Sequence, residues 1–373
     1  MRLRFAMWNC AVIRPSFWGR SIGSVFAFSA GLMFHGTSRD MQGAIPSCRR
    51  NANEADMSQG QGSKFLGGPG GAWISRILFA TDFSPCAHHA EKPLTFLSKV
   101  YGATIDVVHV LELYPGVYVA VEAHEETDEH LAEAVRRLTS PTVSVTAHQR
   151  VGIPSIQICE AAEKNCADVI VMGTHGRTGL DHILLGSTAE GVITMAPCPV
   201  LAIRAPNALE ARQTDAPTTF RQIVVPIDFS DCSIDALECA IQLAMDLGAS
   251  LTLLHILEPQ IFEDDGTVRP EARGRLDGRI DLQFMPYVDA IRSTGVSVRT
   301  AIRGGIPSDS ILEYARTLGS DLIIMGTHGR RGISHVMRGS VAEAVLRRSP
   351  CPVLAVKSLA WAPEQRRVAR SVV

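Results

Sequence analysis

The stretch Met172-Gly173-Thr174-His175-Gly176-Arg177, which leads to Gly186-Ser187, occurs twice in this chain. The second copy reads Met325-Gly326-Thr327-His328-Gly329-Arg330 and leads to Gly339-Ser340. Both copies have the spacing G-x2-G-x9-G-S, and both follow a short apolar run that is typical of a buried strand. A repeated loop in a repeated context predicts two copies of one domain.

The same succession of apolar strands and helices surrounds each loop. A strand that ends just before Asp82 opens the first copy, and one that ends just before Asp228 opens the second, 146 residues later. Ser84 with Pro85 behind it predicts a helix start, because the hydroxyl can accept from a free amide and proline fits the first helical position. Strands alternating with helices predict an α/β fold: two tandem Rossmann-like or flavodoxin-like domains, each a five-stranded parallel sheet with helices on both faces. Such sheets bind ligands at the carboxyl ends of their strands, where the strand order reverses.

The composition divides the chain into five parts. Residues 1–72 lack a strand or helix period and contain a Gly-Gly-Pro-Gly-Gly tract, so they are expected to be disordered, as a targeting segment or as an extension upstream of a true start at Met57. The predicted domains are 73–205 and 221–358, joined by a linker at 206–220 and followed by a tail at 359–373. The third strand of the first domain is predicted at 142–148.

Composition and charge exclude several functional classes. The chain has 373 residues, of which 46% are hydrophobic, and a net charge of -2, which argues against a general nucleic-acid binder. No apolar run approaches the 18 to 20 or so residues that span a bilayer, so a cytoplasmic protein without a membrane partner is expected. The nine cysteines are scattered without zinc spacing and are expected to be reduced and buried.

The glycine loop has the chemistry of an anion site. Glycines directly after a strand let backbone amides approach a ligand, and a Gly-Ser that opens a helix presents unpaired amides at the positive end of the helix dipole. Ser187 with Glu190, and Ser340 with Glu343, have the spacing of a capping box. Each serine is therefore expected to cap its helix, while its hydroxyl proton remains able to reach a phosphate.

Several polar residues near the loops admit a catalytic interpretation and a plainer one. His175 and His328 could act as general bases, but no carboxylate is spaced to orient them, so a role in shaping the loop is favoured. His109 and His255 are expected to be core or rim histidines. The lysine of the Walker pattern is absent, which counts against a fast NTPase. Cys198 and Cys351, each between two prolines, are expected to be buried and inert.

The chain resembles the tandem universal stress proteins, over roughly residues 74–204 and 221–358. The resemblance rests on four repeated features: the strand-end Asp-Phe-Ser, the G-x2-G-x9-G-S loop, Met-Gly-Thr-His-Gly-Arg, and Pro-Cys-Pro-Val before the last strand. Family members with this loop form the ATP-binding subgroup, so the resemblance implies ATP as the ligand, with any Mg²⁺ carried on its phosphates. It also implies that the two repeats pair as an intramolecular pseudo-dimer through their last strands, 199–203 and 352–356.

By the same resemblance, equivalent positions in the two repeats would bind the nucleotide. In the first repeat these are Ala80, Asp82, Val110, Met172, Gly173, Gly176, Gly186, Ser187 and Thr188. In the second they are Pro226, Asp228, Ile256, Met325, Gly326, Gly329, Gly339, Ser340 and Val341. No catalytic residue and no protein ligand for a metal is predicted.

The function expected from the resemblance is that of an ATP-binding, stress-response regulatory protein with slow or no hydrolysis. It would act through a nucleotide-dependent conformation or through an unknown protein partner, and it could form homo-oligomers. One alternative is an ATP-hydrolysing or nucleotidyl-transferring enzyme of the adenine-nucleotide α-hydrolase-like fold; another is an interaction module without nucleotide. The second loop carries Arg330, Arg331 and Arg338 where the first has Arg177 alone, so the second repeat is expected to hold triphosphate more tightly.

Overall fold

A computed structural model describes residues 73–112, 121–176, 185–205, 219–258, 270–327 and 340–357. The predicted extension at 1–72 and the tail after residue 358 lie outside the described residues, as does the linker at 206–218. Most of the second glycine loop, residues 328–339, and part of the first, residues 177–184, also lie outside them.

The first repeat contains five strands and four helices in its described part. The strands are β1 (Arg76–Ala80), β2 (Thr104–Glu112), β3 (Val145–Gly152), β4 (Val169–Gly173) and β5 (Val200–Ile203). The helices are α1 (Pro85–Tyr101), α2 (Val121–Leu138), α3 (Pro154–Lys164) and α4 (Ser187–Met195). The third strand starts later than predicted, because Ser140 and Val143 form a separate bridge that turns the chain before β3 begins.

The second repeat has the same order of elements. Its strands are β6 (Gln222–Pro226), β7 (Ser250–Leu257), β8 (Val298–Gly304), β9 (Leu322–Gly326) and β10 (Val353–Val356). Its helices are α5 (Asp231–Leu247), α6 (Pro270–Ser293), α7 (Pro307–Leu318) and α8 (Ser340–Arg348). None of the helices in the described ranges is long and apolar enough to cross a bilayer.

The ten strands form one continuous sheet in the order β3-β2-β1-β4-β5-β10-β9-β6-β7-β8. Each half is parallel and five-stranded, as predicted, but the two halves are joined into a single sheet. The join is antiparallel: Leu201 of β5 lies opposite Leu354 of β10. The expected contact between the last strands is therefore present, and it leaves neither β5 nor β10 as an edge with unpaired backbone groups.

Helices cover both faces of the sheet. The core on one face, which includes Phe79, Phe220 and Phe284, is closed by α1, α2, α5 and α6. The core on the other face is closed by α3, α4, α7 and α8, and includes Leu78 and Ile323. The predicted α/β fold with helices on both faces of the sheet is confirmed. Because both cores contain residues of both repeats, the two repeats share one hydrophobic interior.

Side chains also link the two repeats outside the sheet. Phe96 of α1 meets Phe220 edge to face, with ring centroids 5.7 Å apart. The Tyr101 hydroxyl donates to Asp246 at 2.8 Å, and burial, followed by the charge of Asp246, raises the pKa of the phenol. Because the phenol stays protonated, this hydrogen bond between α1 and α5 persists at any ordinary pH.

Candidate functional site

In both repeats the strand order reverses at one point. The reversal lies between β1 and β4 in the first repeat and between β6 and β9 in the second. A crevice opens at the carboxyl ends of such neighbouring strands, because the connections on either side lead away in opposite directions. Asp82 follows β1 and Gly173 ends β4, and Asp228 and Gly326 have the same positions in the second repeat.

The turn after β1 holds its phenylalanine in a conformation that non-glycine residues rarely adopt. Phe83 has φ of 61°, and Phe229 in the second repeat has the same value. In this left-handed turn Asp82 accepts from the backbone N–H of Ser84 at 3.0 Å through Oδ1. Ser84 in turn accepts from the N–H of Ala87 and caps α1, as predicted. A strained backbone that recurs at a strand end in both repeats makes this turn a candidate functional position.

A buried histidine supports each turn from the neighbouring strand. His109 on β2 donates from Nδ1 to the Thr81 carbonyl at 2.7 Å, and its ring stacks on Phe83 with centroids 4.6 Å apart. His255 donates in the same way to the Ile227 carbonyl at 2.6 Å. The prediction of core or rim histidines is confirmed, since both are buried, but it did not include this support of the turn. The signal was present in the sequence, since each histidine follows its aspartate by 27 residues.

The glycine loop of the first repeat passes directly over Asp82. A Cβ placed on Gly176 would lie 2.9 Å from Asp82 Oδ2, so the loop backbone and the carboxylate are in close contact. The Gly186 N–H donates to the Thr174 carbonyl at 3.0 Å, and a Cβ on Gly186 would lie 3.1 Å from the same oxygen. The two ends of the loop are thus closed onto each other beside Asp82.

The first glycine of each loop is explained by helix packing. A Cβ on Gly173 would lie 2.9 Å from Cys86 Sγ, and one on Gly326 would lie 2.8 Å from Cys232 Sγ, with backbone atoms of the same cysteines close by. The first turns of α1 and α5 therefore press against these strand ends. Whether the amides here also contact a ligand stays a prediction.

The predicted capping box is wrong in the first repeat. Helix α4 begins at Ser187 with Gly186 as its N-cap, and no side chain caps it. Gly186 is extended and its carbonyl accepts from the Glu190 N–H, which moves the cap one residue ahead of the serine. Ser187 is exposed in the first turn, so its hydroxyl is directed to solvent at the helix N-terminus. Ser340 is likewise the first residue of α8.

Most of the remaining predicted site residues pack in the core that α3, α4, α7 and α8 cover. Ala80 and Met172 are neighbours across β1 and β4 and are buried, and Val110 packs half-buried against the same core. In the second repeat Met325 is buried, and Ile256 and Val341 are half-buried on the corresponding face. Pro226 ends β6, and Thr188 follows Ser187 in α4. Gly329 and Gly339 lie outside the described residues.

The other histidine and cysteine side chains considered as reactive groups have contacts or burial that indicate a structural role. His175 contacts the Thr174 hydroxyl through Nδ1 at 2.8 Å, in line with a loop-shaping role, and His328 lies outside the described residues. Burial raises the pKa of Cys351 to about 12 and raises that of Cys198 further, so both thiols stay protonated and inert, as expected. Cys166 differs from the expectation of reduced cysteines, because it is disulfide-bonded. Within the described ranges no three His, Cys, Asp or Glu side chains are grouped to hold a metal ion.

The match to a known protein family shows which family this chain belongs to. The model of the universal stress protein family matches residues 74–204 and 219–357. This chain belongs to the universal stress protein family. The paired match, together with the repeated topology, makes it a tandem member with two universal stress protein domains.

Individual relatives of the universal stress protein family cover one or both repeats. Universal stress protein MJ0531 of Methanocaldococcus jannaschii is 36% identical over 141 residues, covering 35% of this chain and 83% of that protein. A universal stress protein of Mycolicibacterium smegmatis is 25% identical over 301 residues, or 75% of this chain and 96% of that one. The crystal structure of a universal stress protein from Archaeoglobus fulgidus superposes with a TM-score of 0.59 at 26% identity, covering 77% of this chain and 97% of that one. The last two alignments are long enough to include both domains.

Proposed function

We propose that this chain is a cytoplasmic, ATP-binding regulatory protein of the stress response, with one nucleotide crevice in each repeat. The observation that carries the proposal is the contact of the glycine loop with the strand-end carboxylate, where a Cβ on Gly176 would lie 2.9 Å from Asp82 Oδ2. This contact lies where the strand order reverses, which is where parallel α/β sheets bind their ligands.

The residues at the crevice fit the parts of an adenine nucleotide. The Asp82 carboxylate supplies acceptors for the ribose hydroxyls, and the half-buried Val110 beside Ala80 offers an apolar surface to the adenine. The phosphates would lie at the start of α4, where backbone amides and the exposed Ser187 hydroxyl can donate to them. Mg²⁺, when bound, would neutralise the phosphate charge.

The arrangement favours binding over turnover. The chain lacks the Walker lysine that positions the terminal phosphates in P-loop enzymes, and the His175 Nδ1 is engaged with Thr174. We therefore expect hydrolysis to be slow or absent and the output to be a change of conformation or partner affinity. Such an output requires that ATP bind one conformer better than another.

Separate titration of the two sites tests the proposal. Gly186→Asp and Gly339→Asp each place a carboxylate where the phosphates would lie, so each should abolish binding at its own site. Because the second loop has three arginines, we expect Gly339→Asp to remove the tighter class of ATP sites in calorimetry and Gly186→Asp the weaker. An equal loss from both variants, or a greater loss from Gly186→Asp, contradicts the order of affinities.

Two further measurements separate the alternatives. Mass spectrometry of nucleotide carried through purification, with AMP, ADP and cyclic AMP as standards, identifies the resident ligand. If neither bound nucleotide nor ATP titration gives a signal, the chain is an interaction module without nucleotide. Rapid release of ADP or AMP in a turnover assay with Mg²⁺ would instead make it an enzyme.

A further inference from the structure

A second groove lies at the far edge of the sheet, between β8 and α7 of the second repeat. Its volume is about 390 Å³, and we call it the outer groove. The side chains that define its chemistry are Arg299, Arg303, Ser310, Glu313, Tyr314 and Leu318. None of them is among the residues predicted to bind the nucleotide, although Arg303 lies opposite Ile256 across β7 and β8.

The two arginines of the outer groove are held by neutral groups. Arg299 donates from Nε to the Thr252 hydroxyl at 2.9 Å. Arg303 donates from Nη1 to the Ile302 carbonyl at 2.9 Å, and its guanidinium lies 5.1 Å from the centre of the Tyr314 ring. Each guanidinium has five N–H groups and each forms one of these hydrogen bonds, so most of the donors of the two side chains stay available to a ligand.

The two arginines of the outer groove differ in ion pairing from Arg137 and Arg348. Arg137 contacts Glu91 at 2.8 Å, and Arg348 contacts Asp309 at 2.7 Å. Arg299 and Arg303 form no ion pair with any carboxylate in the described ranges, although Glu313 lines the same groove. The outer groove therefore presents two exposed arginines beside a single carboxylate, that of Glu313.

The first repeat shows what a closed version of this groove looks like. Arg150 of β3 has the position of Arg303, and it donates to Gln157 Oε1 at 3.3 Å. Gln157 then donates to Glu160 at 2.9 Å, so a chain of hydrogen bonds fills the space beside α3. In the second repeat Ser310 replaces the glutamine, and its shorter side chain donates to the Gly304 carbonyl at the end of β8, at 3.4 Å.

Two further equivalent positions on the neighbouring strands also carry different side chains in the two repeats. In the first repeat Thr146 and Asn165 donate to the buried carboxylate of Asp106, which lies on β2 next to β3. In the second repeat Arg299 stands where Thr146 is, and Thr252 stands where Asp106 is. The buried carboxylate, which lies 3.9 Å from Arg76 in the first repeat, has thus been replaced by a hydroxyl, and an exposed arginine has been added beside it. The counterpart of Arg76 is Gln222, so the partner of that carboxylate is replaced as well.

We propose that the outer groove binds the phosphate group of a small phosphorylated molecule through Arg299 and Arg303. A guanidinium fork matches two phosphate oxygens, and two such groups on one face of β8 match a dianion or a diphosphate. Tyr314 and Leu318 supply apolar surface for the body of the ligand. The volume lies within the range of about 300 to 1,000 Å³ that small-molecule sites occupy. This assignment does not depend on the nucleotide crevice.

Calorimetric titration of pyrophosphate into the full chain tests the assignment. Arg299→Met and Arg303→Met keep the aliphatic stems and remove the charge, so each should weaken one class of pyrophosphate sites at least tenfold. Arg303→Lys keeps the charge without the fork and should fall between wild type and Arg303→Met. Ser310→Gln introduces the residue of the first repeat and should also weaken binding by filling the groove.

The matched control is Arg150→Met, which removes the equivalent arginine from the closed site and should leave the affinity unchanged. Pyrophosphate held only by the glycine loops would bind all the groove variants as it binds wild type, and that result overturns the proposal. Absence of millimolar binding, or an equal loss in Arg150→Met, overturns it as well. Equal affinity for malonate would show that the groove accepts any dianion and would overturn the assignment to phosphate.

Discussion

At the scale of single residues, the crevice is built around a turn that its own side chains hold under strain. Phe83 takes a left-handed conformation that costs free energy, and three contacts offset this cost. Asp82 accepts from the Ser84 amide, and the Thr81 hydroxyl accepts from the Phe83 amide. The ring of His109 stacks on that of Phe83. The same strain recurs at Phe229. The turn therefore presents its aspartate in one fixed orientation.

Two glycines of the first loop should respond differently to the same substitution. Gly176→Ala places a Cβ 2.9 Å from Asp82 Oδ2. The Asp82 side chain can move to relieve this contact, so the free energy of unfolding should change by less than about 1 kcal/mol. The displaced carboxylate should nevertheless weaken ATP binding at the first site. Gly173→Ala meets Cys86, including its backbone carbonyl carbon at 3.2 Å, and should destabilise the fold by about 1 to 3 kcal/mol.

Urea unfolding and ATP titration of both variants provide the measurements. Gly102→Ala, at a left-handed position with nothing within 4 Å of its Cβ, reports the backbone cost alone. If Gly176→Ala keeps wild-type affinity at both sites, the contact between the loop and Asp82 has no part in binding.

At the scale of elements, the helices that border the crevice begin in two different ways. Helix α1 is capped by the Ser84 hydroxyl, whereas α4 is capped by Gly186 without any side chain. The difference arises because the Gly186 amide is already held by the Thr174 carbonyl, which fixes it in the extended conformation of a cap. Ser187 is thereby placed inside the first turn and exposed.

Removing the two serine hydroxyls should separate stability from binding. Ser84→Ala removes a buried cap and should cost about 1 kcal/mol of unfolding free energy. Ser187→Ala removes no cap and should change stability by less than about 0.5 kcal/mol, while weakening ATP at the first site. Thermal unfolding and calorimetry measure the two effects. A loss of stability in Ser187→Ala equal to that in Ser84→Ala would show that the Ser187 hydroxyl caps α4.

At the scale of the whole molecule, the two repeats form one folding unit. The antiparallel pair of β5 and β10 makes the sheet continuous, and both cores contain residues of both repeats. Phe220, just before β6, is 1% exposed and packs on Phe96 of the first repeat. Neither repeat can bury its part of the shared core alone, so we expect a single cooperative transition.

Truncation of this shared aromatic contact tests the coupling. Phe220→Ala should lower the free energy of unfolding by about 3 to 5 kcal/mol and keep one calorimetric transition. The neighbouring Thr219 is exposed, so Thr219→Ala should stay within about 0.5 kcal/mol of wild type. Two resolved transitions, in wild type or in Phe220→Ala, would show that the repeats unfold independently.

The sequence by itself determined the fold class, the duplication and the order of elements. Periodic apolar runs bounded by Ser-Pro and glycine signals are local features, and local features predict strands, helices and the Ser84 cap. It also determined which residues stand at strand ends, since a motif such as Gly173 to Gly176 after an apolar run has only one place in an α/β fold.

Only the tertiary structure decided what those residues touch. The contact of Gly176 with Asp82, the clamp of His109 on the turn and the packing of Cys86 on Gly173 join segments far apart in the sequence. The cap of α4 moved to Gly186 because of a hydrogen bond from the other end of the loop. The outer groove likewise depends on how Ser310 and Tyr314 of α7 face Arg299 and Arg303 of β8. Such contacts depend on the distances between elements after packing, and local patterns in the amino-acid sequence do not specify those distances.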